Sequence, residues 1–418
     1  MKNNYIKKTL KNGVKLYLYI DKNMVQTYVD YMIDYGHSGK YFDFYYKNKL
    51  HHVLPGCAHF LEHLLGEHSK YGNIYKLFYK RKYNRNGTTS MDITHYYFLG
   101  VNDIKDSIEK LINAIDDPVF TKEDIVETSY AIAEETKRTL NSPGSIASNI
   151  ARYNLYKNLN LVDETLSVIG NENTTNSIDY ETLKLCYDAF YYDENKTLLI
   201  AGNFDEAEMT EYIESIYAKL KPHKKEVKLY NYKDIDKKKK TKEIKYMSTH
   251  DDIVNIIFKQ KNHNFSKKEI VYFLGYISST KFLAENQFIR DLKKDNIITD
   301  ISRIYRYFLD DENYNLDITF MSNNTEIAIE KIIDKLKIND FNKRDFDLYF
   351  RVQLSYNVLV YDNVYSELFG FAYNKCYTED FNDIVFIKQI TFDRFIEFYN
   401  SLSFDDYTIG IVKDNIGE

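Results

Sequence analysis

His59-Phe60-Leu61-Glu62-His63 constrains this chain more than any other stretch. Its apolar neighbours Phe60, Leu61, Leu64 and Leu65 predict a buried helix. On a helix, histidines four residues apart lie about 40° apart around the axis, so both imidazoles reach the same side. That spacing lets the pair hold one metal ion, with zinc the expected one. Glu62 stands just before the second histidine, where a carboxylate can take a proton from a water at the ion. With 10 histidines and 62 acidic residues in the chain, a helix carrying incidental surface histidines is the alternative.

The bulk properties narrow the function classes. A length of 418 residues suggests two or three domains. The chain is 44% hydrophobic and 28% charged, as in an ordinary globular protein, and its net charge of −6 argues against nucleic acid as a partner. No phosphate-binding loop and no G-x-S-x-G elbow is present. Tyrosine is abundant, at 40 residues, and exposed tyrosines could line a peptide-binding wall. Cys57, Cys186 and Cys376 are sparse and odd in number, which offers no disulfide framework and no cysteine-type zinc site. Cys57 is expected to be a small buried thiol at the helix start. The cysteine usage and the lack of a signal-like pattern over Met1–Ile20 point to a cytoplasmic location. Apolar runs such as Thr197–Ala201 fall far short of the roughly 18 residues needed to cross a bilayer, so no membrane role is expected. His51, His52 and His68 lie near the motif at spacings that suggest no ligand role.

Local patterns alternate between strand and helix. Strands are expected at Lys15–Ile20, Tyr28–Tyr35, Thr94–Leu99, Thr197–Ala201, Ile253–Lys259, Leu316–Met321 and Tyr407–Val412. Helices are expected at Ile104–Ile115, Lys122–Leu140, Ser266–Ser279, Thr325–Leu336 and Asp345–Tyr356. Residues 218–243, with four lysines at Lys237–Lys240 among acidic neighbours, look like a solvated linker. The expected division is a domain over 1–217 carrying the motif, that linker, and a related domain over 244–418. The fold class is α+β, two related α/β halves.

Five segments in order resemble the pitrilysin/insulinase family of zinc metallopeptidases, which includes the mitochondrial processing peptidase. Pro55–Leu64 resembles the family's G-x-A-H-F-x-E-H core. Asn86-Gly87-Thr88-Thr89-Ser90, continuing to Thr94 and Tyr96, resembles its N-A-x-T-S…T-x-Y segment, with Gly87 in place of the usual alanine. Glu127 and Glu134, seven apart and followed by Pro143, resemble its paired glutamates. Gly170–Asn173 and Leu198–Phe204 resemble two further stretches.

The resemblance implies one zinc ion held by His59, His63 and Glu134, with Glu62 as general base. Glu127, about 10 Å along the helix from Glu134, would steady a ligating histidine. Glu135 is the rival ligand, turned about 100° from Glu134. Asn86, Gly87, Thr88 and Thr89 would form an edge strand to which an extended substrate adds, although a polar turn reads equally well there. The family's short type holds two halves in one chain, each a mostly antiparallel sheet covered by helices, forming one half of a clam-shell chamber. The implied function is zinc-dependent endopeptidase acting on peptides or unfolded segments, such as leader peptides; the alternative is a non-catalytic peptide-binding or scaffold subunit. Family members usually carry an arginine and a tyrosine seven apart in the second half. Phe288–Lys294 resembles the stretch with that arginine, Arg290, but Ile297 stands where the tyrosine would be. A second family subunit supplying that pair, in a heterodimer, is therefore expected, with a homodimer as the alternative.

Overall fold

The computed structural model describes residues 5–140, 142–156, 170, 172–230, 240–302, 304–308, 312–359, 364–374 and 384–414. They fall into two compact units. The first comprises Met1–Thr136, Ser167–Asn231 and Val364–Phe381, and the second Lys137–Leu166, Tyr232–Asn363 and Asn382–Glu418.

Strands of the first unit are β1 (Tyr5–Thr9), β2 (Lys15–Ile20), β3 (Thr27–Ile33), β4 (Asp43–Tyr46), β5 (Lys49–His52), β6 (Asn84–Thr89), β7 (Thr94–Gly100), β8 (Lys196–Gly202) and β9 (Val227–Leu229). Six of them form one sheet in the order β1-β2-β8-β3-β7-β6, parallel only between β2 and β8. The apolar run in β8 is buried at every residue because the strand lies inside the sheet with both faces covered. Alternation along β2 sorts its side chains. Leu16 and Leu18 join the core that holds Phe60, Leu61, Leu64 and Leu65, and Tyr17 and Tyr19 join a second cluster with Leu199, Ala201 and Phe371.

The connection from β5 to β6 carries helices α1 (Cys57–Glu67) and α2 (Ile74–Lys80), and α3 (Ile104–Asp116) and α4 (Lys122–Leu140) follow β7. Gly56 caps α1 with φ 101°, a left-handed conformation that suits glycine.

The second unit contains β10 (Lys240–Met247), β11 (Asp252–Lys261), β12 (Ile298–Ile301), β13 (Tyr305–Phe308), β14 (Asn313–Ser322) and β15 (Tyr407–Asp414). Their sheet runs β10-β15-β11-β14-β12, with β13 also on β14, and is parallel only between β10 and β15. This repeats the pattern β2-β8-β3-β7-β6: an opening strand parallel to the closing strand, then three antiparallel steps. In each unit two helices precede the outermost strand, Lys267–Phe282 and Gln287–Lys294 taking the places of α1 and α2. The chain is thus α+β, two related halves, each a mostly antiparallel sheet with helices. The helix matching α1 carries no histidine.

Within the segment read as a linker, Val227–Leu229 pairs with β4 and Lys240 opens β10, so backbone pairing reaches into it. Residues 231–239, with most of the lysine run, lie outside the described residues, as do Asn171 and Cys376. No helix among the described residues is long and apolar enough to cross a membrane.

Candidate metal centre and active site

α1 presents the motif histidines from a buried frame: His59 is 5% exposed and Glu62 6%. Their rings lie 4.7 Å apart, edge to face, as the four-residue spacing dictates. The third donor comes from α4. One carboxylate oxygen of Glu135 stands 3.7 Å from His59 Nε2 and 3.4 Å from His63 Nε2. Two imidazoles and this carboxylate form a group whose donor atoms all lie within 4.8 Å of one another. Ligands about 2.0–2.2 Å from a tetrahedral zinc stand roughly 3.3–3.6 Å from each other, so the 3.4 Å separation falls within that geometry and the 3.7 Å one lies just beyond it. Three protein donors rather than four is the number found in catalytic rather than structural zinc sites.

The expected ligand Glu134 is not in this group; it is exposed, as is Glu127. The difference follows from how α4 packs. Ile125, Thr128, Ile132 and Thr136 are buried along it, and Glu135 follows Ile132 by three and Thr128 by seven, on the same stripe. Glu134 is rotated about 100° off that stripe. The seven-residue relationship survives one position later, as Thr128 and Glu135. At the position of the first paired glutamate the packed face therefore carries a threonine, whose Oγ1 is buried without a hydrogen-bond partner among the described residues. The apolar periodicity Ile125–Ile132 was the available signal.

α4 is held against α1 by His68, whose Nδ1 lies 2.9 Å from the Asp124 carboxylate. His68 is thus outside the donor group, and so is Cys57, a buried free thiol in the core. His63 is aimed by Glu67, whose Oε1 lies 3.0 Å from His63 Nδ1 and leaves Nε2 toward Glu135. Sequence reasoning missed Glu67, although the four-residue step from His63 was visible. Tyr75 was missed as well. Its hydroxyl donates to Glu62 Oε1 across 3.4 Å from α2.

Burial, with His63 nearby, lowers His59 to about 4, so its ring is neutral at pH 7. Burial pushes Glu62 up to about 7. Burial would lower His63 also, but its hydrogen bonds with Glu135 and Glu67 outweigh this and push it up to about 10. Without a metal, a proton on His63 is the cation among these carboxylates.

β6 is the outer strand of its sheet, next to the centre. Among the described residues it pairs with β7 alone, with Asn86 opposite Tyr97 and Gly87 opposite Tyr96. A Cβ on Gly87 would stand 2.1 Å from Glu62 Oε1, so this face of β6 touches the Glu62 carboxylate. By strand alternation Asn86 and Thr88 project to the opposite face. Asn86 is exposed there and hydrogen-bonds to Tyr97. Thr88 Oγ1 donates to its neighbour's carbonyl, and the hydroxyls of Thr89 and Thr94 lie 3.4 Å apart. In the second unit, Arg290 is exposed and its guanidinium donates to the Glu285 carbonyl, while Ile297 is buried.

A family model described as peptidase M16 inactive domain matches residues 177–349. Over 196 residues the chain is 29% identical to a protein named uncharacterized zinc protease YmfH, from Bacillus subtilis (strain 168). The match takes in 47% of this chain and 45% of that protein, so it spans less than half of the relative's length. Among solved structures, a putative M16-like peptidase from Alicyclobacillus acidocaldarius matches with a TM-score of 0.81 at 19% identity, over 99% of this chain and 100% of that one. A protease from Helicobacter pylori matches at 0.73 and 17%, over 98% and 99%. Pitrilysin matches at 0.71 and 16%, over 99% of this chain and 45% of that one. At such identities these structures speak to the fold, which they share along nearly the whole chain. With the H-x-x-E-H helix in the first unit and the inactive-domain match running from the end of the first unit into the second, the chain is similar to the M16 peptidases, the pitrilysin/insulinase family of inverted-motif zinc metallopeptidases.

Proposed function

We propose that this chain is a zinc-dependent endopeptidase of peptides and unfolded segments, in which His59, His63 and Glu135 hold the metal and Glu62 is the general base. The observation that carries this reading is the Glu135 carboxylate oxygen facing both Nε2 atoms, with Glu62 Oε2 3.9 Å from His59 Nε2. Zinc at these donors would polarise the scissile carbonyl and make the attacking water more acidic.

The chain's residues supply the rest. Glu62 takes a proton from the attacking water and returns it to the leaving amine. Its burial raises its proton affinity into the range where both transfers are accessible near pH 7. The free edge of β6 accepts an extended substrate through backbone hydrogen bonds, beside Glu62. Such docking requires an extended segment, which is why unfolded chains are the proposed substrates. The working assembly includes a second family subunit, argued from Ile297 after Arg290.

Glu62→Gln tests the reading. The variant should keep its zinc and lose peptide hydrolysis by a factor of about 10²–10⁴. Hydrolysis near the parent's rate would overturn the assignment of Glu62.

A further inference from the structure

Glu62 is not enclosed by the metal donors alone. On its other side stands Tyr75, from α2, with its hydroxyl 3.4 Å from Glu62 Oε1. Two glycines make room for that ring. A Cβ on Gly66, in α1, would meet Tyr75 at Cε2 (2.4 Å), Cζ (2.7 Å) and the hydroxyl (2.7 Å). A Cβ on Gly87, in β6, would lie 2.2 Å from the Tyr75 hydroxyl and 2.1 Å from Glu62 Oε1. Neither glycine is demanded by backbone conformation, since neither has a positive φ. A glycine inside a helix costs about 1 kcal/mol relative to alanine, so Gly66 is a local expense that the ring's placement explains.

We propose that Tyr75 is a positioning residue for Glu62, with Gly66 and Gly87 as the space that admits it. The phenol donates to Oε1 and fixes the carboxylate plane, leaving Oε2 toward the metal donors. The geometry favours this over simple packing. A phenylalanine would fill the space between the helices and the strand equally well, and only the hydroxyl reaches the two positions that the Gly87 hydrogen keeps open. This inference rests on the proposed role of Glu62, but the contact itself can be read without activity.

Two measurements test it. In the full chain labelled with ¹³C at tyrosine Cζ, the resonance lost in Tyr75→Phe should shift in Glu62→Gln. A resonance unmoved by that substitution overturns the contact, whether or not the chain is a peptidase. In the assembly that cleaves peptide, Tyr75→Phe should lower kcat about tenfold or more at unchanged KM and zinc content, as expected for loss of a hydrogen bond to a charged group. Gly66→Ala, which displaces the ring without touching Glu62, should do the same, and the double variant should be no worse than the poorer single one. A kcat within twofold of the parent in Tyr75→Phe overturns the positioning role. Retained hydrolysis in Glu62→Gln would instead indict the reading of Glu62, and the resonance test would still decide where Tyr75 binds.

Discussion

Glu67 Oε1 sits 3.0 Å from His63 Nδ1, one helical turn further along α1. An imidazole whose Nδ1–H is fixed in this way offers Nε2 as a lone-pair donor in a set direction. Glu67→Ala should therefore weaken zinc binding about 10–100-fold without removing any ligand. Competition with a chromophoric chelator measures this directly, and an affinity equal to the parent's would leave Glu67 no orienting role.

The identity of the third ligand separates two adjacent residues on α4. Glu135→Ala should lose stoichiometric zinc, because two imidazoles alone hold the ion weakly. Glu134→Ala should retain about one equivalent, since its side chain lies on the exposed face. Elemental analysis of the two variants decides the matter, and the opposite pattern would mean that α4 is rotated by one residue from the packing described above.

The charge state of His63 makes metal uptake pH-dependent. A proton and a metal compete for its Nε2, and the proton is favoured up to about 10. His59, at about 4, is already neutral at pH 7 and asks for no such exchange. Zinc affinity should thus rise with pH between 6 and 9, with about one proton displaced from His63 per ion at pH 7. Calorimetry in buffers of different ionisation enthalpy counts that proton. The metal-free protein should behave oppositely. His63 has its folded pKa raised above the unfolded value of about 6.5, so its stabilising contribution is full below that value and is lost toward about 10. A metal-free melting temperature that rises from pH 7 to 10 would contradict this.

Most of the framework was legible in the residue pattern. β2, β7, β8, β11, β14 and β15 lie within a few residues of expectation because their apolar runs lie inside the sheets. Tyr28–Tyr35 overran β3, which ends at Ile33; Tyr35 instead stacks on Phe190 at 4.3 Å. The motif helix and three of the four proposed chemical groups came from one short stretch and the family pattern. For the fourth the expectation was Glu134, whereas the packed face of α4 brings Glu135 beside the histidines; seven-residue spacing is satisfied by both Glu127–Glu134 and Thr128–Glu135. Tyr75 was hidden for a different reason. It lies 13 residues from Glu62, and the link is written in two glycines rather than in any local period. The glycine at 87, where the family pattern has alanine, was the trace it left in the sequence.

The last prediction concerns what this chain lacks. Arg290 lies on the helix Gln287–Lys294, but the position seven residues on is Ile297, a buried side chain with no hydrogen-bonding group. Loss of one donor to a developing oxyanion costs about 10²–10³ in rate. On the proposed function, a chain that brings His59, His63 and Glu135 together and places an isoleucine there would contribute the metal half of a shared site. The purified chain should then be folded and zinc-loaded, with slow peptide hydrolysis that rises by at least that factor on mixing with a family member carrying the arginine and tyrosine. Ile297→Tyr should not substitute for that partner, because residue 297 is packed into the core. Turnover by the chain alone equal to that of the mixture would refute the division of labour and leave the metal centre as described.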